Sequence, residues 1–405
     1  GYPTWQMSSY VGGDHASVLN VLKDKIAIDE NFDYFLNSFA KLSMPNGLFC
    51  YSEPRLLKHS SDIFHKKNSN PYLLFRFVKQ HYKTRWVFLL FLNFFLYEKK
   101  ILLLPFLLSF FYSKRELSKK IFDKIQIQSS KKLFQAETID VIIPTIGRKQ
   151  FLYDVLKDLS VQTILPKNVI IVEQNPNHES ISELDYIVSE NWPFNIRHTF
   201  TRQAGACNAR NGALAQVETE WVFLNDDDNR FDSDLIEKVI QKASQYGANC
   251  ITTSYIQKKE VLTYTTVHQS GIFGSGNSFL KSKFLKEVSF NKVLEFGYGE
   301  DTDFGLQLRN LGVDIIYFPD LKILHLKAPM GGFRNKFVFP WELNGDSPKP
   351  SPNIMYVKSK YSTKRQLLGY KTVLFFKFYK YNLFAFSKFN FEWQLSIKWS
   401  KKIST

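Results

Sequence analysis

Three consecutive carboxylates, Asp226, Asp227 and Asp228, follow the apolar run Trp221-Val222-Phe223-Leu224. Four apolar residues in a row suit a strand buried on both faces. Like charges at its end repel one another and gain no packing. A divalent cation reverses that sign, because Mg²⁺ and Mn²⁺ take hard oxygen donors, commonly one or two carboxylates together with substrate phosphates. The cluster therefore points to a nucleotide diphosphate; the competing account is a solvated acidic turn capping a helix that begins near Asp232. Further along, Gly205-Ala206-Cys207-Asn208-Ala209-Arg210-Asn211-Gly212 gathers small residues where a loop enters a helix. Backbone N–H groups at such a start favour phosphate, and Arg210 can add charge-assisted hydrogen bonds; a glycine-spaced packing helix with a surface Arg is the alternative. Glu300, Asp301 and Asp303 follow Gly297-Tyr298-Gly299 and open another helix, where acids ordinarily stabilise the helix dipole or cap it. His325 lies in Ile323-Leu324-His325-Leu326, where metal ligand and core imidazole both stay open.

These groups need a scaffold, and residues 136–345 supply the alternation of a doubly wound α/β domain. Strands are expected at 139–145, Val169 to Asn175, Ile196 to Phe200, Trp221 to Leu224, Cys250 to Ile256 and Asp314 to Phe318, the last followed by a turn at Pro319-Asp320. Helices are expected over 151–160, 206–215, 235–246, 281–288 and 300–311. Ligands of such sheets bind beyond the carboxyl ends of the strands. Pro144, Thr145, Glu173 and Asp226 to Asp228 all lie at such ends and should converge on one crevice.

The ordered succession of Val141-Ile142-Ile143-Pro144-Thr145, the 169–175 strand, the 205–212 segment, Phe223 to Asp228 and Gly299-Glu300-Asp301 resembles a family 2 glycosyltransferase with the GT-A fold, over roughly residues 138–335. The resemblance implies an inverting enzyme of the bacterial polysaccharide-synthesis type. It implies that the loop carrying Pro144, Thr145 and Arg148 lies against the nucleoside. Glu173 would accept from a uracil N–H, at a position where Asp is usual. Asp226 to Asp228 resemble the DxD motif, with Asp228 the direct metal ligand and Asp226 reaching the ribose or a metal-bound water. Gly274-Ser275-Gly276-Asn277 would line the donor sugar. Asp301 becomes the general base for the acceptor hydroxyl, Glu300 orients the acceptor, and His325 joins the metal, Mn²⁺ or Mg²⁺. Gly331-Gly332-Phe333-Arg334 reads as a loop over the diphosphate, with Arg334 a phosphate partner.

Charge is distributed unevenly. Net charge is −3 over 1–54, +13 over 55–133, −5 over 134–352 and +10 over 353–405, giving +15 in all. The basic flanks lie away from the acidic central block, which argues against a nucleic-acid enzyme. They are crowded with Phe, Leu and Tyr, a mixture suited to an anionic membrane surface. Trp86 to Tyr97 and Ile101 to Tyr112 are apolar runs too short to span a bilayer, and Pro105 should kink or end the second. A helical hairpin lying in the interface is expected; a buried helical pair is the alternative. Cys50, Cys207 and Cys250 have no metal-ligand spacing and suggest a reducing compartment. No secretory leader is visible in the sequence, which begins with Gly rather than Met, so targeting stays open.

The expectation is a metal-dependent inverting glycosyltransferase. It would move a sugar from a nucleotide-sugar, UDP-linked, to a glycan or lipid-linked glycan hydroxyl, peripherally at the inner face of the plasma membrane. Residues 1–70 have no assigned role, 71–135 form the basic aromatic region, 136–345 the transferase domain, and 346–405 a Pro-rich linker with a basic aromatic helical extension. The competing readings are a nucleotidyltransferase and a non-catalytic glycan-binding protein at a membrane.

Overall fold

The computed structural model describes residues 2–56, 70–130, 138–329, 337–379 and 382–404. The chain divides into two compact units, one built from 1–126 with 346–403 and the other from 127–345. The loop at Gly331 to Arg334 lies outside the described residues.

The first unit is helical. Its amino-terminal part holds α1 (Ala16–Leu22), α2 (Phe32–Ser43), α3 (Pro71–His81), α4 (Arg85–Glu98) and α5 (Leu103–Ser109). Asn31 caps α2 by accepting from Tyr34 N–H, and Asn70 caps α3 with Pro71 at its first position, a combination that meets donors lacking an intrahelical acceptor. Helix α5 is shorter than its apolar run suggested. Pro105 neither kinks nor ends it, because Pro105 falls in the first turn, where a missing N–H costs no hydrogen bond.

The second unit carries the sheet. In chain order it contains β1 (Ile139–Thr145), α6 (Lys149–Ser160), β2 (Asn168–Gln174), β3 (Asn195–Thr201), α7 (Ala206–Leu214), β4 (Trp221–Asn225), β5 (Asn229–Phe231) and α8 (Leu235–Tyr246). There follow β6 (Cys250–Ile256), β7 (His268–Gln269), β8 (Asn277–Lys281), α9 (Glu300–Asn310) and β9 (Ile315–His325). The order across the sheet is β3-β2-β1-β4-β8-β6-β9-β5, with β7 against β9. Strands β1 to β4 are mutually parallel, as β6 is to β9, while β8 runs antiparallel between β4 and β6. The α/β class with a mixed, mostly parallel sheet and helical extensions at both ends holds.

Two local expectations fail. Residues 281–288 are not an α-helix: Lys281 is claimed by β8, where it pairs with Trp221, and only a 3₁₀ turn at Ser282–Lys286 follows. Strand β9 does not stop at Phe318 either. It runs through Pro319-Asp320 with a register shift and resumes against β6 at Lys322, an irregularity that lets three added residues pass while the pairing resumes beyond them.

The strands β1, β2 and β4 are buried along nearly their whole length. Phe223 stacks on its cross-strand partner Phe279 at 4.0 Å between centroids, a pairing that adds to simple burial. Within β1 the one charged residue, Asp140, is buried and fully met. It accepts from the N–H and Nδ2 of Asn168 and from the N–H groups of Glu218 and Thr219. That network fastens β2 and the approach to β4 onto β1.

After the second unit, the chain returns to the first with α10 (Pro352–Tyr361), α11 (Lys364–Tyr379) and α12 (Phe386–Lys402). Met355, Leu374, Phe375, Phe389 and Trp393 form their shared core.

Candidate active site

The carboxyl ends of β1, β2, β4 and β6 bring the expected acids together with cations from distant parts of the chain. Asp227 turns toward β1. Thr145 Oγ1 donates to its Oδ2 at 2.7 Å, and Arg148 NH1 donates to its Oδ1 at 2.7 Å. Burial lifts the Asp227 carboxyl to about 6 despite Arg148. Arg148 also donates to the carbonyls of Ala328 and Pro329. The first-strand loop and the chain after β9 are thereby tied across one arginine.

Asp226 takes a different set of partners. Arg210, from α7, donates to Oδ1 at 2.9 Å, and Tyr255, near the end of β6, donates to Oδ2 at 3.1 Å. Antiparallel pairing sets Asn277 of β8 opposite Asn225, which brings Gly276 against the Asp226 carboxylate. A Cβ on Gly276 would lie 2.1 Å from Oδ2. Asn277 itself faces inward, donating to Thr253 O and to the hydroxyls of Thr252 and Thr253.

Asp228 is adjacent to the imidazole of His325, whose Nε2 lies 3.4 Å from Oδ2. The sheet causes this: β5 pairs with β9 so that Asn229 stands opposite His325. The same oxygen accepts from Ala328 N–H at 2.9 Å and lies 3.3 Å from Arg148. Burial works to raise the Asp228 carboxyl, but His325 and the Ala328 N–H prevail and hold it below the ordinary range. Its hydrogen bond to Asp228 raises His325. The Tyr255 ring lies flat on the His325 ring, 4.6 Å between centroids and 8° from parallel, so Tyr255 touches both this pair and Asp226.

Among the described residues no three of His, Cys, Asp and Glu gather into a set that could hold a metal. Asp228 and His325 nonetheless offer a carboxylate oxygen and an imidazole nitrogen side by side, donor types that Mn²⁺ accepts. A diphosphate and water would have to complete the shell. On that chemistry the pair fits a divalent ion; both oxygens of Asp226, expected to reach the ribose or a metal-bound water, are engaged by Arg210 and Tyr255.

At the end of β2, Glu173 accepts from Ser182 Oγ at 2.5 Å and Glu183 N–H at 3.0 Å, and its Oε2 lies 2.9 Å from His198 Nε2. Burial opposes ionisation there, yet these contacts hold the carboxyl below its usual value. Pro144 pairs with Val172 in the β1–β2 ladder.

The start of α7 departs from the expectation of an open phosphate site. Glu295 Oε1 accepts from Cys207 N–H and Oε2 from Asn208 N–H, both at 2.9 Å. Its carboxylate occupies the place an anion would take. Gly205 permits this: with φ at 152° it has no side chain, and a Cβ there would meet the Glu295 carboxyl carbon at 2.5 Å.

Asp301, in the first turn of α9, is hydrogen-bonded by Ser275, while its buried Oδ1 has no hydrogen-bond partner. Burial raises its carboxyl, and the charge of Arg210 only partly offsets this. Glu300 is raised as well, by burial and then by the charge of Asp301. Arg210 is the common element, its guanidinium charge interacting with Asp226, Asp301 and Glu300.

Four residues in this network were not singled out from the sequence. Tyr255 carried a usable signal, since it stands near the end of a strand already recognised. His198 likewise stands within a strand already recognised, whereas Ser182 and Glu295 carried none, because both act from irregular loops.

Residues 140–298 match the sequence profile of the family described as Glycosyl transferase family 2. An uncharacterized glycosyltransferase of Haemophilus influenzae is 29% identical over 187 residues; the alignment covers 42% of this chain, and the chain spans 61% of that curated relative's length. Among solved structures, Staphylococcus aureus TarS 1-349 in complex with UDP-GlcNAc aligns with a TM-score of 0.45 at 16% identity, covering 61% of this chain and 75% of that one. GalNAc-T7 with UDP, GalNAc and Mn²⁺ aligns with a TM-score of 0.43 at 11% identity, covering 56% and 49%. Likenesses at those scores add no weight to the family match.

Proposed function

We propose that this chain, which carries a glycosyl transferase family 2 domain over residues 140–298, transfers a sugar from a nucleotide-sugar to an acceptor hydroxyl with inversion at the anomeric carbon. The donor is UDP-linked and the acceptor is a glycan or lipid-linked glycan. The reading is supported above all by the buried Asp301 carboxylate, with one oxygen unpartnered and its proton affinity raised, sharing Arg210 with Asp226.

In this reading the loop of Thr145 and Arg148 flanks the nucleoside, and Asp226 receives the ribose. Asp228 and His325 would hold Mn²⁺ or Mg²⁺, which supplies charge neutralisation for the departing diphosphate when bound. Glu300 orients the acceptor. Asp301 accepts the acceptor's proton as its oxygen bonds to the anomeric carbon and the bond to the diphosphate breaks. Holding the two substrates in line supplies the remaining advantage. Glu173 meets the base edge as part of a set with His198 and Ser182, since its carboxylate is already shared with them.

The test is Asp301→Asn. Sugar transfer should fall by about 10²- to 10⁴-fold, the range general-base catalysis supplies, while calorimetric binding of UDP with Mn²⁺ stays at the wild-type level. Undiminished turnover would remove the base assignment, and loss of UDP binding would show that Asp301 belongs to the donor site.

A further inference from the structure

The hairpin of α4 and α5, in the helical unit, leaves an apolar face bare. Helix α4 fully buries only Val87, and α5 only Pro105 and Ser109. The polar flank of α4 is already used: Asn93 accepts from Thr372 Oγ1 of α11 at 2.8 Å, Tyr97 hydrogen-bonds the same hydroxyl at 3.1 Å, and Glu98 pairs with Arg365 at 3.1 Å. Phe106 holds α5 to α4 through ring contacts with Phe88 and Phe91, at 5.3 and 4.9 Å between centroids. What points outward at the tip is Ile101, Leu104 and Phe111, exposed by 71%, 57% and 86%, beside half-exposed Leu107.

No charged residue interrupts 101–113, while Lys99, Lys100 and Lys114 stand exposed at its two ends. An apolar wedge rimmed by cations matches a surface that is oily below and anionic above. It matches a second copy of the chain poorly, because a two-fold contact would set this cationic rim against itself. Helix α5 has seven residues, about 10 Å of length. Among the described residues no helix is long and apolar enough to cross a membrane.

We propose that the α4–α5 tip docks in the interface of an anionic lipid bilayer. Ile101, Leu104, Leu107 and Phe111 enter the acyl boundary, and Lys99, Lys100 and Lys114 meet lipid phosphates. This surface is independent of the sugar-transfer reading, and either can fail alone.

The experiment is flotation of the full chain with phosphatidylcholine vesicles, and with vesicles of phosphatidylcholine and phosphatidylglycerol in equal parts. Binding should be at least about tenfold stronger to the anionic vesicles, given the electrostatic attraction of each lysine at such a surface, and should weaken with salt. Leu104→Asp with Phe111→Asp should lower it about tenfold with the melting temperature unchanged. Charge reversal at Lys99, Lys100 and Lys114 should abolish the preference for phosphatidylglycerol. Equal flotation of wild type and the apolar-face variant would overturn the proposal. So would an absence of flotation combined with a dimer, seen by light scattering, that the same variant dissolves.

Discussion

Asp226 is held by residues from two separate elements and given room by a third position, and each makes a distinct demand on it. Arg210 and Tyr255 fix its two oxygens, and the absent side chain of Gly276 leaves room for it. Gly276→Ala should fold, since the clash is with a single side chain, but Asp226 must swing away from both partners. Affinity for UDP with Mn²⁺, read by calorimetry, should drop about tenfold, or ~1.4 kcal/mol; unchanged affinity would mean that Asp226 does not meet the nucleotide. Asp301 makes a prediction in pH. It works as a base only when ionised, and burial raises its proton affinity above the ordinary value of 3.8. Activity should therefore rise with pH through an acidic limb lying above that value, in a profile of kcat/KM. A limb at or below it, or one that persists in Asp301→Asn, would assign the titration to another group.

At the level of elements, α7 shows how local sequence misleads. Its small residues and its Arg invite a phosphate, yet Glu295, 88 residues from Cys207, already accepts from its first N–H groups. Glu295→Ala should remove that cap and cost about 1–2 kcal/mol in urea unfolding, the scale of a lost helix cap. A change within a few tenths would mean water replaces the carboxylate at no penalty. The strands behaved differently. Cys250–Ile256 and the helix Leu235–Tyr246 fall where periodicity set them, because each buries a face that its own sequence writes out. Lys281 and the residues after it did not, since β8 exists only by pairing with β4 and β6.

For the molecule as a whole, the division into two units matters for how it can be taken apart. The second unit is one continuous stretch, 127–345, and holds the nine-stranded sheet described here with its core. Expressed alone, it should melt cooperatively and retain UDP binding; non-cooperative melting would mean that its stability depends on the helical unit. The helical unit is discontinuous, closed by α10 to α12 returning to it.

The amino-acid sequence by itself determined the strands at 139–145, 169–175, 196–200, 221–224 and 250–256, the α/β class and the placing of Thr145, Glu173, Asp226 to Asp228 and Asp301 at strand or helix ends, but not β5, β7 or β8. Those features follow from short-range periodicity, which a run of ten residues already contains. Only the tertiary structure decided which group partners each carboxylate: Arg148 for Asp227, Arg210 and Tyr255 for Asp226, His325 beside Asp228, and His198 with Ser182 for Glu173. Most of those partners arrive from another strand or helix, and Glu173 meets Ser182 through an irregular loop. Hydrogen bonds and ion pairs act through distance in space, and no local pattern records which distant residue the folded sheet will bring into contact.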